Sequence, residues 1–261
     1  MAGNSFKDFL LPALKPVGGK VMVLVPARDA ENAAEVAPAL GGAGLVALIA
    51  KKFPDAQSLA EETRRTRQRV GLVSIALGDA DDTQSDKVIA AALEGQPVHV
   101  NLPYLRACYA KGILDGLQGD CGMVVNALVT STAEPELVSL STQLTADAGS
   151  THEIHIPTRQ AALILKELHF ETIKTQFGPH GLDLAWQEGA ARAACEAGLD
   201  LIEPSSRITF ENIADVVRAC LKGGVSYVMP HIFTALIDKE TGATRPEAVA
   251  DLVALLKSHF E

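Results

Sequence analysis

The chain has 261 residues, 48% of them hydrophobic, with a formal net charge of −9 and a pI near 5.3. That length suits one barrel-sized domain or two small ones, and the acidic balance argues against nucleic acid as a partner, which would need clustered Lys and Arg. No run is long and charge-free enough to span a membrane, which takes about 20 residues.

The first 19 residues hold an apolar patch, Phe9–Leu14, closely flanked by Asp8 and Lys15 and lacking a basic leader. This reads as a lead-in segment rather than a signal peptide. It is placed to cap the bottom of the fold or to meet a neighbouring copy. Short apolar runs then alternate with amphipathic stretches. The apolar runs are Val21–Pro26, Leu45–Ala50, Gly71–Leu77, Val98–Asn101, Met123–Val129, Thr172–Lys174, Leu199–Glu203 and Ser226–Pro230. They are rich in Val, Ile and Leu, as strands buried on both faces are. The helical patterns cover Ala30–Leu40, Asp55–Arg69, Gln84–Leu93, Leu105–Leu117, Thr158–Leu168, Leu184–Ala197, Phe210–Leu221 and Pro246–His259. Asp55 after Pro54, Pro246 in a first turn, and Gly198 and Gly223-Gly224 at helix ends supply start and stop signals.

Eight strand–helix units in one chain of this length give the arithmetic of a single-domain α/β fold, the (β/α)8 TIM barrel. The rival is a doubly wound open sheet, which usually carries a Gly-rich turn after its first strand. Here the first strand runs into Val25-Pro26-Ala27-Arg28-Asp29, with no glycine. The segment Thr130–Pro157 is too long for a plain connection and reads as an insertion between strands 5 and 6. Within it, Val138–Ser141 and Glu153–Ile156 suit a short extra hairpin.

Cys108, Cys121, Cys195 and Cys220 are far apart and form no CxxC pair. This usage fits buried thiols in a reducing, cytoplasmic compartment and gives no support to a zinc site. The basic run Arg64–Arg69 follows Glu61-Glu62 and reads as a solvated helix face.

Active sites of such barrels lie at the carboxyl ends of the strands. Polar residues gather there in this sequence: Lys51, Gly78 and Asp79, His99 and Asn101, Asn126, Lys174, Glu203 with Ser205, Ser206 and Arg207, and His231. Lys174 is the most informative. Burial disfavours its charged form and lowers its pKa, and a neutral amine can form a Schiff base with a ketone. A nearby cation, Lys51, Lys52 or Arg207, would assist. Glu203 is the candidate general base or water-positioning group, with a salt bridge to Lys174 or Arg207 as the plain alternative. His231 suits proton shuttling or pocket lining. His99, inside a strand, reads as a satisfied interior histidine. Gly78–Asp82 reads as a turn leading into a helix.

The chain resembles the 2-dehydro-3-deoxyphosphogluconate aldolases of the D-glucosaminate degradation type, the KDGP aldolase family. The resemblance rests on Glu203-Pro204, Glu211-Asn212, Pro230-His231-Ile232, Ile237-Asp238-Lys239 and Thr244-Arg245-Pro246. It extends to Lys51 with Pro54-Asp55, Leu77-Gly78, His99-Val100-Asn101, Val124-Val125-Asn126 and Ser141-Thr142. It implies a TIM barrel, aldol cleavage to pyruvate and a glyceraldehyde phosphate, and Lys174 of Ile173-Lys174 as the Schiff-base residue. The chain departs from the family at two glycine pairs. One, after the lysine, becomes Thr175–Gly181; the other, in a Pro-Thr-Gly-Gly phosphate loop, becomes Pro204-Ser205-Ser206-Arg207. Arg207 can hold a phosphate or carboxylate through its guanidinium fork instead.

The expected protein is a Schiff-base aldolase acting on a small-molecule 2-oxo acid. Lys174 and Glu203 are catalytic, and Arg207, Ser205, Ser206, His231, Asn101, Lys51 and Asn126 bind substrate. That route needs no cofactor. Two alternatives stand beside it: a divalent-metal lyase or isomerase built on Glu203, His231 and Asp79, and a non-catalytic sugar-acid-binding barrel. A homo-oligomer formed through outer helices is expected.

Overall fold

The structure is a computed structural model that describes residues 5–118, 122–140 and 154–261. Its elements in chain order are β1 (Val23–Ala27), α1 (Ala30–Leu40), β2 (Gly44–Ile49), α2 (Ala56–Val70), β3 (Val73–Ala76), α3 (Ser85–Gly95), β4 (His99–Pro103) and α4 (Tyr104–Gln118). There follow β5 (Val124–Ser131), β6 (Leu137–Ser139), β7 (His155–Pro157), α5 (Thr158–Glu167), β8 (Thr172–Gln176), α6 (Leu184–Ala197), β9 (Leu201–Ser205), α7 (Ile213–Lys222), β10 (Tyr227–Val228) and α8 (Pro246–Phe260).

Eight strands pair in parallel in the order β1-β2-β3-β4-β5-β8-β9-β10. Parallel bridges Val21–Val228 and Leu24–His231 join the last strand to the first. The amide of Met22 donates to Val228 O at 2.9 Å and that of Leu24 to Pro230 O at 3.0 Å. This is the expected (β/α)8 barrel. The insertion between its fifth and sixth strands holds the antiparallel pair β6–β7, with Val138 opposite Ile156. Cys121, Ser141–Gln143 and Glu153 lie outside the described residues.

Local signals set the boundaries. Asp29, Asp55 and Asp183 each accept from a backbone amide three residues on, at 2.8, 2.8 and 2.9 Å, which satisfies otherwise orphaned helix donors. Gly41 and Gly198 end α1 and α6 in the left-handed conformation. Gly44 is required for another reason: a Cβ there would lie 1.9 Å from Val23 O, so no larger residue lets β2 pack against β1.

The strands β1 to β4 and β9 bury both faces. Outward residues such as Val23, Val25, Val46, Leu48 and Ile75 pack on the helices. Inward residues Met22, Leu24, Leu45, Val124, Leu201 and Met229 fill the lower barrel with Phe6, Leu10 and Leu14. The lead-in segment therefore plugs the barrel bottom. Phe6 meets Tyr227 edge-on at 5.3 Å, and the Ser5 amide donates to Glu171 Oε1 at 2.8 Å. The basic run of α2 faces solvent, where Arg65 and Arg69 reach Glu31. Cys220 is buried, but Cys195, expected to be buried, is exposed at the end of α6, where its thiol lies 3.1 Å from Gly224 O. No helix among the described residues is long and apolar enough to cross a membrane.

Candidate active site

Above its apolar base the barrel interior turns polar on one side. Lys174 on β8 is in register with Glu203 on β9, so both side chains leave the sheet at one level. Two residues below Lys174 on the same face, Thr172 donates its hydroxyl to Glu203 Oε1 at 3.0 Å. His99 Nε2 lies 3.1 Å from Glu203 Oε1 and His231 Nε2 lies 2.7 Å from Oε2. The carboxylate has no solvent exposure. Its partners are these two imidazoles and one hydroxyl; the salt bridge to Lys174 or Arg207 considered from sequence does not form.

The network continues across the barrel. His99 Nδ1 is 2.8 Å from Ser74 Oγ on β3. Asn101 Nδ2 donates to Ser74 Oγ at 3.3 Å, and Asn126 Nδ2 donates to Asn101 Oδ1 at 3.1 Å. Asn101 and Asn126 are buried and stand beneath the cavity in this layer, whereas the sequence reading had them binding substrate. His99 is interior, as read, and it ties β3 to β9.

Burial pushes the Lys174 amine down from 10.5 to about 8, against the opposing pull of Glu203. The cations expected to assist, Lys51, Lys52 and Arg207, contribute none of that shift. Burial alone would raise the Glu203 carboxyl. The electrostatic pull of His99 and the hydrogen bonds from His231 and His99 overcome it, so Glu203 stays ionised well below the usual carboxylate range. Burial, followed by the positive charge of Lys174, keeps His231 neutral far below its ordinary value despite Glu203. A neutral His231 that donates through Nε2 to the carboxylate leaves Nδ1 without a proton. That nitrogen is buried and has no hydrogen-bond partner among the described residues.

A cavity of about 380 Å³ opens above this layer, lined by Lys174, Gln176, His231, Phe233 and the rim residues Ser205–Ile208 and Gly78–Ala80. Its size suits a small-molecule site. The Ser205 hydroxyl donates to Thr175 O at 2.9 Å, while Ser206 and Arg207 are exposed at the rim. Both adopt the left-handed backbone, with φ of 68° and 53°. Both residues thus hold backbone angles that favour glycine, and Asn212 Nδ2 braces the loop by donating to Arg207 O at 2.9 Å. On the opposite rim Gly78, Asp79 and Ala80 are also left-handed. Lys51, expected to bind substrate, does not line the cavity. A short helical turn, Ala50–Lys52, carries it outward to Asp79, 3.2 Å away. Asp79 itself is exposed at the cavity rim. Among the described residues no group of three or more His, Cys, Asp or Glu side chains is gathered to hold a metal ion.

Ser74, Thr172, Gln176 and Phe233 escaped the sequence reading. Thr172 and Gln176 lie two residues either side of Lys174, and Phe233 two after His231, so the two-residue strand period was the signal that could have found them.

Comparison with known proteins agrees with the barrel fold. A 2-dehydro-3-deoxy-phosphogluconate aldolase of Salmonella typhimurium is 29% identical over 241 residues, covering 92% of this chain and 96% of the relative. Among solved structures, thiamine phosphate pyrophosphorylase from Pyrococcus furiosus superposes with a TM-score of 0.56 at 16% identity, covering 94% of this chain and 98% of that one. A carboxyl transferase domain of Rhizobium etli pyruvate carboxylase, solved with pyruvate, gives 0.54 at 12% identity over 92% of this chain and 47% of that one. At such identities these two show the fold alone. The sequence profile of the KDGP aldolase family matches residues 17–240, and the chain belongs to that family; as an aldolase it is a carbon–carbon lyase.

Proposed function

We propose that this protein is a Schiff-base aldolase that cleaves a 2-oxo-3-deoxy sugar acid to pyruvate and an aldehyde such as glyceraldehyde 3-phosphate. The observation that carries the reading is Lys174, an amine on a cavity floor with its pKa brought down to about 8 by burial. At neutral pH a usable fraction of such an amine is free to attack a ketone, as it would not be at 10.5. Lys174 adds to C2, water leaves, and the iminium takes up the electron pair released when the C3–C4 bond breaks. Arg207, with Ser206, holds the anionic end of the substrate at the rim, while Ser205, its hydroxyl donated to Thr175 O, braces the loop. The name of the Salmonella relative supports this substrate class.

The test is borohydride reduction in the presence of pyruvate, read by intact and peptide mass spectrometry. The expected result is a pyruvate-derived adduct on Lys174, absent from Lys174→Ala. Folded wild-type protein without any adduct would remove the lysine mechanism.

A further inference from the structure

We infer that Nδ1 of His231, held by the Glu203 carboxylate, is the base that moves the proton in carbon–carbon cleavage, and that Glu203 is a positioning residue behind it. The inference rests on the reading of Lys174 as the Schiff-base amine and assigns the proton to a different group from the carboxylate singled out by sequence.

The carboxylate is poorly placed for the task. Glu203 has no solvent exposure, and its two oxygens accept from His99 Nε2, His231 Nε2 and Thr172 Oγ1. With both oxygens so engaged, the carboxylate does not face the cavity. His231 does face it, beside Lys174. Its Nε2 is committed to Glu203 at 2.7 Å, and its ring stacks on Phe233 with an interplanar angle of 17°. These contacts fix the ring plane and the tautomer. They leave Nδ1 as a buried nitrogen with a free lone pair and no partner among the described residues. A buried acceptor left unsatisfied is an expense that folded proteins rarely carry without use.

The charged and titratable groups around the ring serve the same end. Glu203 supplies the negative charge that stabilises an imidazolium when one forms, His99 holds the other carboxylate oxygen, and burial, followed by the charge of Lys174, keeps the resting ring neutral. A carboxylate behind an imidazole fixes its tautomer and stabilises its cation without itself taking the proton. In the cleavage step Nδ1 takes the proton of the C4 hydroxyl. The O–H electron pair forms the aldehyde C=O, the C3–C4 bond breaks, and its pair moves through C2 to the iminium nitrogen. The resulting enamine then takes the same proton from Nδ1 onto C3, and hydrolysis releases pyruvate and restores the free amine of Lys174.

The test follows pyruvate in D2O with full-length protein. Exchange of the methyl protons, read by NMR, reports proton transfer at C3, and the end-point yield of borohydride adduct reports Lys174. His231→Gln keeps an amide donor near the Nε2 position and removes the Nδ1 base. Exchange is expected to fall by about 10²- to 10⁴-fold while the end-point adduct on Lys174 persists. In His231→Ala, added imidazole is expected to restore exchange in proportion to its concentration. An adduct on Lys174 with undiminished exchange in both variants overturns the inference and leaves the Schiff-base reading standing. A wild-type protein that forms no adduct removes that reading, and this inference with it.

Discussion

Lys174 and Glu203 sit opposite each other on adjacent parallel strands, yet the carboxylate is held by two histidines rather than by the amine. This arrangement lets burial govern the lysine, because a direct ion pair would raise its pKa. The rate of adduct formation with pyruvate should therefore rise with pH and level off above about 8, falling close to tenfold per unit well below that value. Glu203 is the one group that pulls Lys174 upward. Glu203→Gln removes that pull, so the acid limb of the profile should move to lower pH. A limb that stays fixed or moves up would contradict the upward pull assigned to Glu203.

The same cluster sets the acid sensitivity of the fold. Both folded pKa values are depressed, and both act in one direction. The unfolded chain protonates its histidine below 6.5, a proton the folded His231 refuses. It protonates its glutamate below 4.5, where the folded Glu203 remains ionised. In each window the unfolded state binds more protons, so stability falls as pH falls. Urea midpoints measured from pH 8 to pH 4.5 should begin to drop near pH 6.5. The Glu203 contribution is present above 4.5 and is lost progressively below it. His231→Gln should flatten the stretch between 6.5 and 4.5.

The lead-in segment can be tested by contrast within one turn. Phe6 has no exposed surface and closes the barrel bottom against Tyr227, whereas Phe9 is half exposed. Phe6→Ala should cost about 3–5 kcal/mol, the range for emptying a buried aromatic site. Phe9→Ala should cost well under about 1 kcal/mol, as surface changes do. Equal losses in chemical denaturation would show that the segment does not plug the barrel.

What the sequence made legible, and what it hid, follows from the range of the interactions. The strands and helices could be read because each is announced by its own composition. Lys174 and Glu203 stood out as charges in apolar runs. The last strand was read as Ser226–Pro230, but regular pairing is confined to Tyr227–Val228, and the chain beyond reaches β1 through the single bridge at His231. Lys51 gave the same local signal as Lys174, a lysine ending an apolar strand, yet one helical turn sends it outward to Asp79. The layer joining Ser74, His99, Asn101, Asn126 and Thr172 spans several strands of the closed barrel. No local pattern says which polar side chains meet across a closed sheet.

The rim loop offers a test in which stability and binding should move in opposite senses. Ser206 and Arg207 both occupy the left-handed region, which costs a residue with a Cβ roughly 1–2 kcal/mol. Glycine avoids that strain but has more freedom to lose on folding, by roughly 0.5–1 kcal/mol. Ser206→Gly and Arg207→Gly should each therefore stabilise the protein by on the order of 0.5–1 kcal/mol, read as a raised melting temperature. Arg207→Gly also removes the guanidinium proposed to hold the substrate anion. A hydrogen bond to a charged group contributes roughly 1.5–3 kcal/mol, so KM for a phosphorylated 2-oxo-3-deoxy acid should rise about tenfold or more, with little change for pyruvate in the exchange reaction. Ser206→Gly should raise that KM less than Arg207→Gly does, since it removes a neutral hydroxyl and keeps the guanidinium. A stabilised Arg207→Gly with unchanged KM would remove Arg207 from the binding of the substrate anion.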